Sequence, residues 1–269
     1  MSISPNQALE RESRFRRLAI IGAALPVGIF IVSLFARASV ELPTDSLFPG
    51  FFRAIDADSG AWIAGGILQG LAWLVIAIPL TYLFLAASAR SERVLRPLAG
   101  FCVLGPVLVG IQTALSAVAQ VDVAQQFASQ ATGVGDVYTL ASDLYEDSSL
   151  RTVAGALGAG GALAMVFAMV YTPLWTTRTG LTTRFHGTLG MALGASLLFP
   201  PLAELALPML FLWFGYLALM LSGRLRRGRP PAWDVGKAVP WPTGGQEPVA
   251  AGAAPGTDGG IEGDASEIP

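Results

Sequence analysis

Cysteine, histidine and lysine each occur once in this chain of 269 residues, as Cys102, His186 and Lys237. One cysteine excludes an intramolecular disulfide, and one cysteine with one histidine excludes the His- and Cys-rich metal centres, leaving only carboxylate sites open. Charge is scarce too, at 13% of residues, against about 25% in an ordinary soluble domain. The net charge of −2 says little, because positive and negative residues are segregated along the chain, and nucleic-acid binding finds no support in the sequence. A nucleophile elbow, a phosphate-binding loop and a zinc-binding helix motif are all missing. No catalytic, cofactor-binding or metal-ligating residue is therefore assigned, no cofactor is expected, and the chain reads as a protein that is not an enzyme.

What the chain has instead is apolar length: 53% of its residues are hydrophobic and its mean hydropathy is +0.56. The stretch from Ala61 to Ala89 carries no charged side chain and then meets Arg90, Arg93 and Arg96. At about 1.5 Å per residue, roughly 20 residues cross the hydrocarbon core, so this run spans a membrane. Its arginine-rich end belongs on the cytoplasmic side. Residues 1–17, with Arg11, Arg14, Arg16 and Arg17, then form a cytoplasmic N-terminus ahead of a first span at 18–36. Ala36-Arg37-Ala38 has the form of a signal-cleavage site. The apolar run before it exceeds the about 7–15 residues of a signal-peptide core, so an uncleaved span is expected. Further spans at 61–89, 97–121, 152–175, 186–203 and 205–223 complete a membrane domain of six helices over residues 18–223. Of the 17 Lys and Arg, only Arg37, Arg53 and Arg151 fall outside, which puts both termini in the cytoplasm.

The connecting segments are less apolar. Between Ser39 and Gly60, Phe48, Phe51 and Phe52 stand beside Asp56 and Asp58, a pattern that predicts an interfacial segment with its rings at head-group level. Residues 122–150 form an outer loop made acidic by Asp136, Asp143, Glu146 and Asp147. Val137, Leu140 and Leu144, with Val153 in register, predict an amphipathic helix there. The calcium-loop spacing is absent, so these carboxylates read as a solvated face. From residue 224 to 269 the composition turns to Pro, Gly, Ala and scattered acids, which predicts a largely disordered cytoplasmic tail. The fold class is all-α: a polytopic membrane protein with six transmembrane helices, both ends inside, an acidic outer loop and a disordered tail.

Ionisable groups buried in a membrane bundle mark ion and proton pathways, because their cost is tolerated only for function. None of the six spans holds an Asp, Lys or Arg, and Glu204 stands near an outer end between Pro200-Pro201 and Pro208. The deep polar candidates are Gln69 and Gln112. As amides they suit hydrogen bonding between helices; with Glu204 they also mark the one polar path available to a solute. Gly66 and Gly70, and Gly190 and Gly194, form G-x-x-x-G pairs suited to close helix packing within the chain. The Gly- and Ala-rich first half of the fourth span predicts that this helix sits centrally. His186 follows Arg184 and reads as a polar residue at the cytoplasmic edge. VIAIPLTYL before Arg90 and VFAMVYTPLW before Arg178 match loosely, and shared apolar composition accounts for that better than a duplication does.

Two stretches carry a family resemblance: GLTTRFHGTLGMALG, from Gly180 to Gly194, and GRPPAWDVGKAVPWP, from Gly228 to Pro242. Together they resemble an uncharacterised set of bacterial multi-pass membrane proteins. The resemblance implies a bacterial inner-membrane location and brings no activity or site residue with it. The functional expectation is a non-enzymatic accessory or assembly component of the membrane. The alternative is a small-solute transporter or channel with its path near Gln69 and Gln112. The lipid bilayer is the one partner that composition implies; it names no protein partner.

Overall fold

The computed structural model describes residues 4–42, 48–132, 135–198, 203–225 and 229–240, with side chains in α2 from residue 49 and in α8 from residue 206. Among these residues every regular element is helical. Four helices are long and apolar enough to cross a membrane: α1 (Pro5–Ala38), α3 (Ser59–Arg90), α4 (Phe101–Gln130, entered through a 3-10 turn at Arg96–Gly100) and α6 (Ser149–Arg178). Between them lie α2 (Phe48–Ala57) and α5 (Val137–Glu146); α7 (Arg184–Ser196), α8 (Ala203–Ser222) and the single turn α9 (Ala232–Val235) follow.

Helix α1 starts well before the apolar run. Ser4 accepts from the Gln7 amide while the Gln7 side chain accepts from the Ser4 amide, and Pro5 occupies the first helical position. This capping box nucleates a helix through the arginine cluster. Residues 5–17 are thus continuous with the first span, and α1 is about 50 Å long, more than the about 30 Å of a hydrocarbon core.

The long helices alternate in direction, as three sets of close contacts show. A Cβ on Gly22 would lie 2.9 Å from Ile78 Cβ and one on Gly65 3.2 Å from the Ser33 carbonyl, so α1 and α3 run antiparallel. Gly70 and Gly110 face each other, each imagined Cβ falling 2.6 or 2.7 Å from the other's carbonyl oxygen, and Gly66 meets Ala117. A Cβ on Gly105 would lie 2.6 Å from the Met165 amide, and one on Gly161 2.9 Å from the Val109 amide. The backbones of α3 and α4, and of α4 and α6, therefore touch without intervening side chains, the arrangement that dispersion favours in lipid.

This order corrects the expected centre of the bundle. Helix α3 touches α1, α4 and α6 and has the most buried apolar segment of the four. The glycines of α6 serve one seam with α4, and nothing lies within 4 Å of a Cβ on Gly155. Helix α4 also continues beyond the expected boundary at Val121, because Val121, Val123, Ala124 and Phe127 keep a buried face while Asp122, Gln125 and Gln126 point outward. That extension receives α2 and α5. Phe52 and Ile55 are fully buried, with Phe52 against Phe127 and Tyr145 and Phe51 edge-on to Trp62. Phe51 and Phe52 therefore pack on protein; the Phe48 side chain lies outside the described residues. In α5, Val137, Leu140, Ala141 and Leu144 face the same cluster, whereas Val153 belongs to α6 and is exposed.

At the opposite, basic end, α7 folds back on α6. Gly187 meets Thr177, Gly190 meets Pro173 and Gly194 meets Met169, which makes α7 antiparallel to α6. Its 13 residues reach about 20 Å, short of a full crossing by themselves. Part of the expected disordered tail is ordered. Residues 229–240 are folded onto the bundle, with Ala232 and Trp233 buried; residues 226–228 and 241–269 lie outside the described residues.

The glycine contacts predict a graded alanine series. Gly70→Ala and Gly105→Ala place a methyl against backbone and should each cost about 1–3 kcal/mol. Gly28→Ala and Gly155→Ala enter open space and should change stability by about 0.5 kcal/mol or less. Thermal unfolding of the four variants in one detergent checks the ordering.

Candidate functional site

Of the polar residues singled out in the sequence, Gln69 and Gln112 have side chains among the described residues. Gln112 on α4 donates from Nε2 to the Ser116 hydroxyl at 3.1 Å, and its side chain lies against Gly158 of α6. Gln69 on α3 is half-buried and stands one turn from Gly65 and one turn from Trp73, both of which touch α1. The two amides thus belong to different helix seams, one toward α6 and the other on the side toward α1. Glu204 is the second residue of α8, but its side chain lies outside the described residues. Gly66 and Gly70 pack α3 on α4; Gly190 packs α7 against Pro173 and the Trp213 ring, and Gly194 packs it against Met169 and Val170.

His186 corrects its expected position. It is 1% exposed, its ring stacks on Trp213 at 4.9 Å, and Nε2 donates to the Trp213 carbonyl at 2.9 Å. The Trp213 indole donates back to the His186 carbonyl at 3.0 Å. This reciprocal pair staples α7 to α8. The sequence lacked a signal for it, since Trp213 is 27 residues away.

At the far end, Asp136 of the acidic segment between α4 and α6 acts locally. Asp136 caps α5, accepting from the Tyr138 amide at 3.0 Å, the Thr139 amide at 3.1 Å and the Thr139 hydroxyl at 2.7 Å. The hydroxyl and then the amide of Thr139 hold this carboxyl below its ordinary value of 3.8. Among the described residues there is no group of three or more His, Cys, Asp or Glu that could hold a metal ion. Because the folded value is the lower one, the cap's contribution is fully present above pH 3.8 and is lost as pH falls through the folded value. Hydrogen exchange at Tyr138 and Thr139 should therefore stay slow down to that region and accelerate below it. Asp136→Ala should remove that protection above this region and make no further difference once the carboxylate is protonated.

The constellation that stands out was not among the sequence candidates. Glu12 on α1 and Arg90 at the end of α3 form a bidentate ion pair: Arg90 Nη1 bonds Glu12 Oε1, and Nη2 bonds Oε2 at 3.0 Å. The Arg90 side chain is 0% exposed and that of Glu12 7%. The remaining Arg90 donors go to backbone, with Nη1 on Ala86 at 2.9 Å and Nε and Nη2 on Ala232 at 3.1 and 2.8 Å. Tyr82 donates to the Glu12 carbonyl at 3.3 Å and stacks on Trp233 at 5.7 Å. The Trp233 indole donates to Leu181 at 2.8 Å, and the Val239 amide to Thr179 at 3.1 Å. The ion pair thus joins α1, α3 and the segment at 229–240, and that segment in turn bonds the turn between α6 and α7. The two stretches that carried the family resemblance meet here. The available sequence signal was two acids, Glu10 and Glu12, among four arginines.

Beside this clasp, α1 and α3 diverge around a groove of about 380 Å³. Phe15, Leu18, Ile78, Leu85 and Val103 line it, and Arg11 and Glu12 close its basic end. The Thr81 hydroxyl in its wall is buried and has no hydrogen-bond partner. Arg11 donates from Nη2 to the Leu85 carbonyl at 3.0 Å and also borders a neighbouring pocket of about 210 Å³ with Ser88 and Arg96.

Removing one partner of a buried ion pair leaves an uncompensated charge, which costs about 3–5 kcal/mol. Glu12→Gln and Arg90→Met should each destabilise the protein on that scale, and the double variant Glu12→Leu with Arg90→Met should recover most of the loss. Thermal unfolding measures all three. Trp233→Ala should in addition expose residues 229–240 to protease, read by the rate of tail cleavage.

Comparison of the chain with models of known protein families, with curated proteins and with solved structures finds no match, so a functional reading rests on this geometry.

Proposed function

We propose that the chain is a bacterial inner-membrane protein of six spans, both termini cytoplasmic, that serves as a non-enzymatic accessory or assembly component. The clasp supports the even number of crossings. Residues 229–240 and the first turns of α1 share one end of the bundle through Arg90, Glu12 and Ala232. Helices α1, α3, α4 and α6 supply four passes; in this reading α7 and α8 supply a fifth and a sixth. The arginines of α1 and of the loops after α3 and α6 crowd that same end, which favours its assignment to the cytoplasm. GLTTRFHGTLGMALG and GRPPAWDVGKAVPWP suggest the bacterial inner membrane only by resemblance.

The observation that carries the accessory role is the separation of Gln69 and Gln112. A coupled transporter needs polar groups gathered around one path at the interface of its repeats. Here Gln112 is committed to Ser116 and to the seam with α6, and Gln69 lies on the side toward α1. The buried ion pair is likewise consumed by tertiary structure, with each Arg90 hydrogen bond going to carboxylate or carbonyl oxygen and the guanidinium lying over the Trp233 ring. A bundle with its polar groups closed in this way offers surfaces rather than a path.

Cysteine labelling tests both parts. On a Cys102→Ser background, single cysteines replace Gln69, Gln112, Glu92 and Ser129, and an impermeant thiol reagent is added to either side of sealed vesicles. The expected result is protection at 69 and 112, reaction at 129 from outside and reaction at 92 from the cytoplasmic side only. Reaction at both deep positions would establish an aqueous path and replace this reading with that of a transporter or channel. Exchange of the 92 and 129 patterns would invert the topology.

A further inference from the structure

We infer that the groove between α1 and α3 is a binding site for an anionic glycerophospholipid, its acyl chain along Leu18 and Ile78 and its phosphate at Arg11 and Arg96. The inference rests on the membrane-spanning reading of α1 and α3 and is otherwise independent of the accessory role.

The groove is asymmetric in the way such a lipid is. Its walls are apolar for most of their length, and Phe15, Leu18, Leu85 and Val103 remain exposed along it. Charge enters at one end only. There Glu12 is neutralised by Arg90, which leaves the positive charge of Arg11 at the mouth. Arg11 spends one Nη2 bond on the Leu85 carbonyl, which fixes the guanidinium over the groove. The adjoining pocket shares Arg11 and Leu85 with the groove and adds Ser88 and Arg96, so a second cation and a hydroxyl lie next to the same mouth. Basic pockets between transmembrane helices are suited to phospholipid head groups, and arginine suits phosphate through its planar fork of donors.

Thr81 adds an independent observation. A buried hydroxyl without a partner is costly, and this one stands in the groove wall. Thr81 lies one turn below Leu85 on α3, about 6 Å deeper along the axis. The ester carbonyls of a glycerolipid lie directly below its phosphate, so they place an acceptor at that level. A helix from a second copy would fill the apolar part of the groove but would bring no anion to Arg11 and no spare acceptor to Thr81, since its carbonyls are used within the helix.

Native mass spectrometry of the full chain in detergent tests the site, with dioleoyl phosphatidylglycerol and dioleoyl phosphatidylcholine added in turn. The expected result is one retained phosphatidylglycerol at about fivefold or higher occupancy than phosphatidylcholine, on the scale of one basic residue at a membrane surface. Arg11→Gln and Arg96→Gln should each reduce that preference, and Thr81→Val, which keeps the side-chain shape, should reduce retention of both lipids. Ala77→Trp, which fills the groove, should abolish retention while Arg151→Gln, at the other end, leaves it unchanged. Equal retention of the two lipids, an unchanged preference in Arg11→Gln, or full retention in a folded Ala77→Trp variant would overturn the site. Displacement of the lipid by inorganic phosphate alone at equal concentration would overturn the acyl-chain assignment and leave a simple anion site. Failure here with protection at positions 69 and 112 would remove the lipid and leave the accessory reading standing.

Discussion

The interaction on which the basic end depends is the ion pair between Glu12 and Arg90. Burying a guanidinium and a carboxylate removes several kcal/mol of hydration from each, and the loss is offset only when geometry and the remaining donors are satisfied together. Here Arg90 achieves that by reaching three separate segments: Glu12 on α1, Ala86 on its own helix and Ala232 in the C-terminal segment. The consequence is topological. The pair forms only when α1 has extended through the arginine cluster and when the chain has returned to the same end after α8. Stability at this one residue therefore requires that the chain crosses the bundle an even number of times between residues 12 and 232.

The rest of the bundle follows from a second constraint, the closeness of its backbones. Lipid tails are as apolar as leucine, so helices gain little by hiding side chains from them and much by close dispersion contact. The facing Gly70 and Gly110, with Gly105 on Met165, set that contact along α3, α4 and α6. This explains why α3 rather than α6 is central. A run of glycines in one helix permits close approach to one neighbour, whereas α3 has Gly22 and Ser33 of α1 on one side, Gly110 and Ala117 of α4 on the other, and the most buried apolar segment of the four long helices.

Apolar runs and arginine spacing made the four long helices, the amphipathic α5 and the packing glycines legible, because each of these is a local property of residues close in sequence. Helix ends were less so: α1 and α4 run on past the apolar boundary because Ser4 caps one and Phe127 anchors the other, and hydropathy sees neither. The candidate site was hardly legible at all. Glu12 and Arg90 are 78 residues apart, and Trp233 lies 52 residues from Leu181. Such partners are chosen by tertiary folding. The tail shows the same limit: a Pro- and Gly-rich segment cannot order itself, yet one buried tryptophan and one accepted arginine suffice to hold residues 229–240 on a surface that already exists.

The clasp and the groove share walls, and that sharing has an energetic meaning. Glu12 and Tyr82 line the groove on one face and, on the other, a pocket of about 240 Å³ bounded by Arg16, Arg229, Trp233 and Asp234. Whatever fills the groove presses on Glu12, which is paired with Arg90, and on Tyr82, on which Trp233 is stacked. Coupling between sites is reciprocal: an occupant that favours the clasped arrangement of Glu12 and Tyr82 is itself bound more tightly when the tail is docked. No long pathway is needed, because one ion pair and one tyrosine are common to both. The C-terminal segment is thereby the far side of the groove wall, and its attachment and the groove's shape are set by the same contacts.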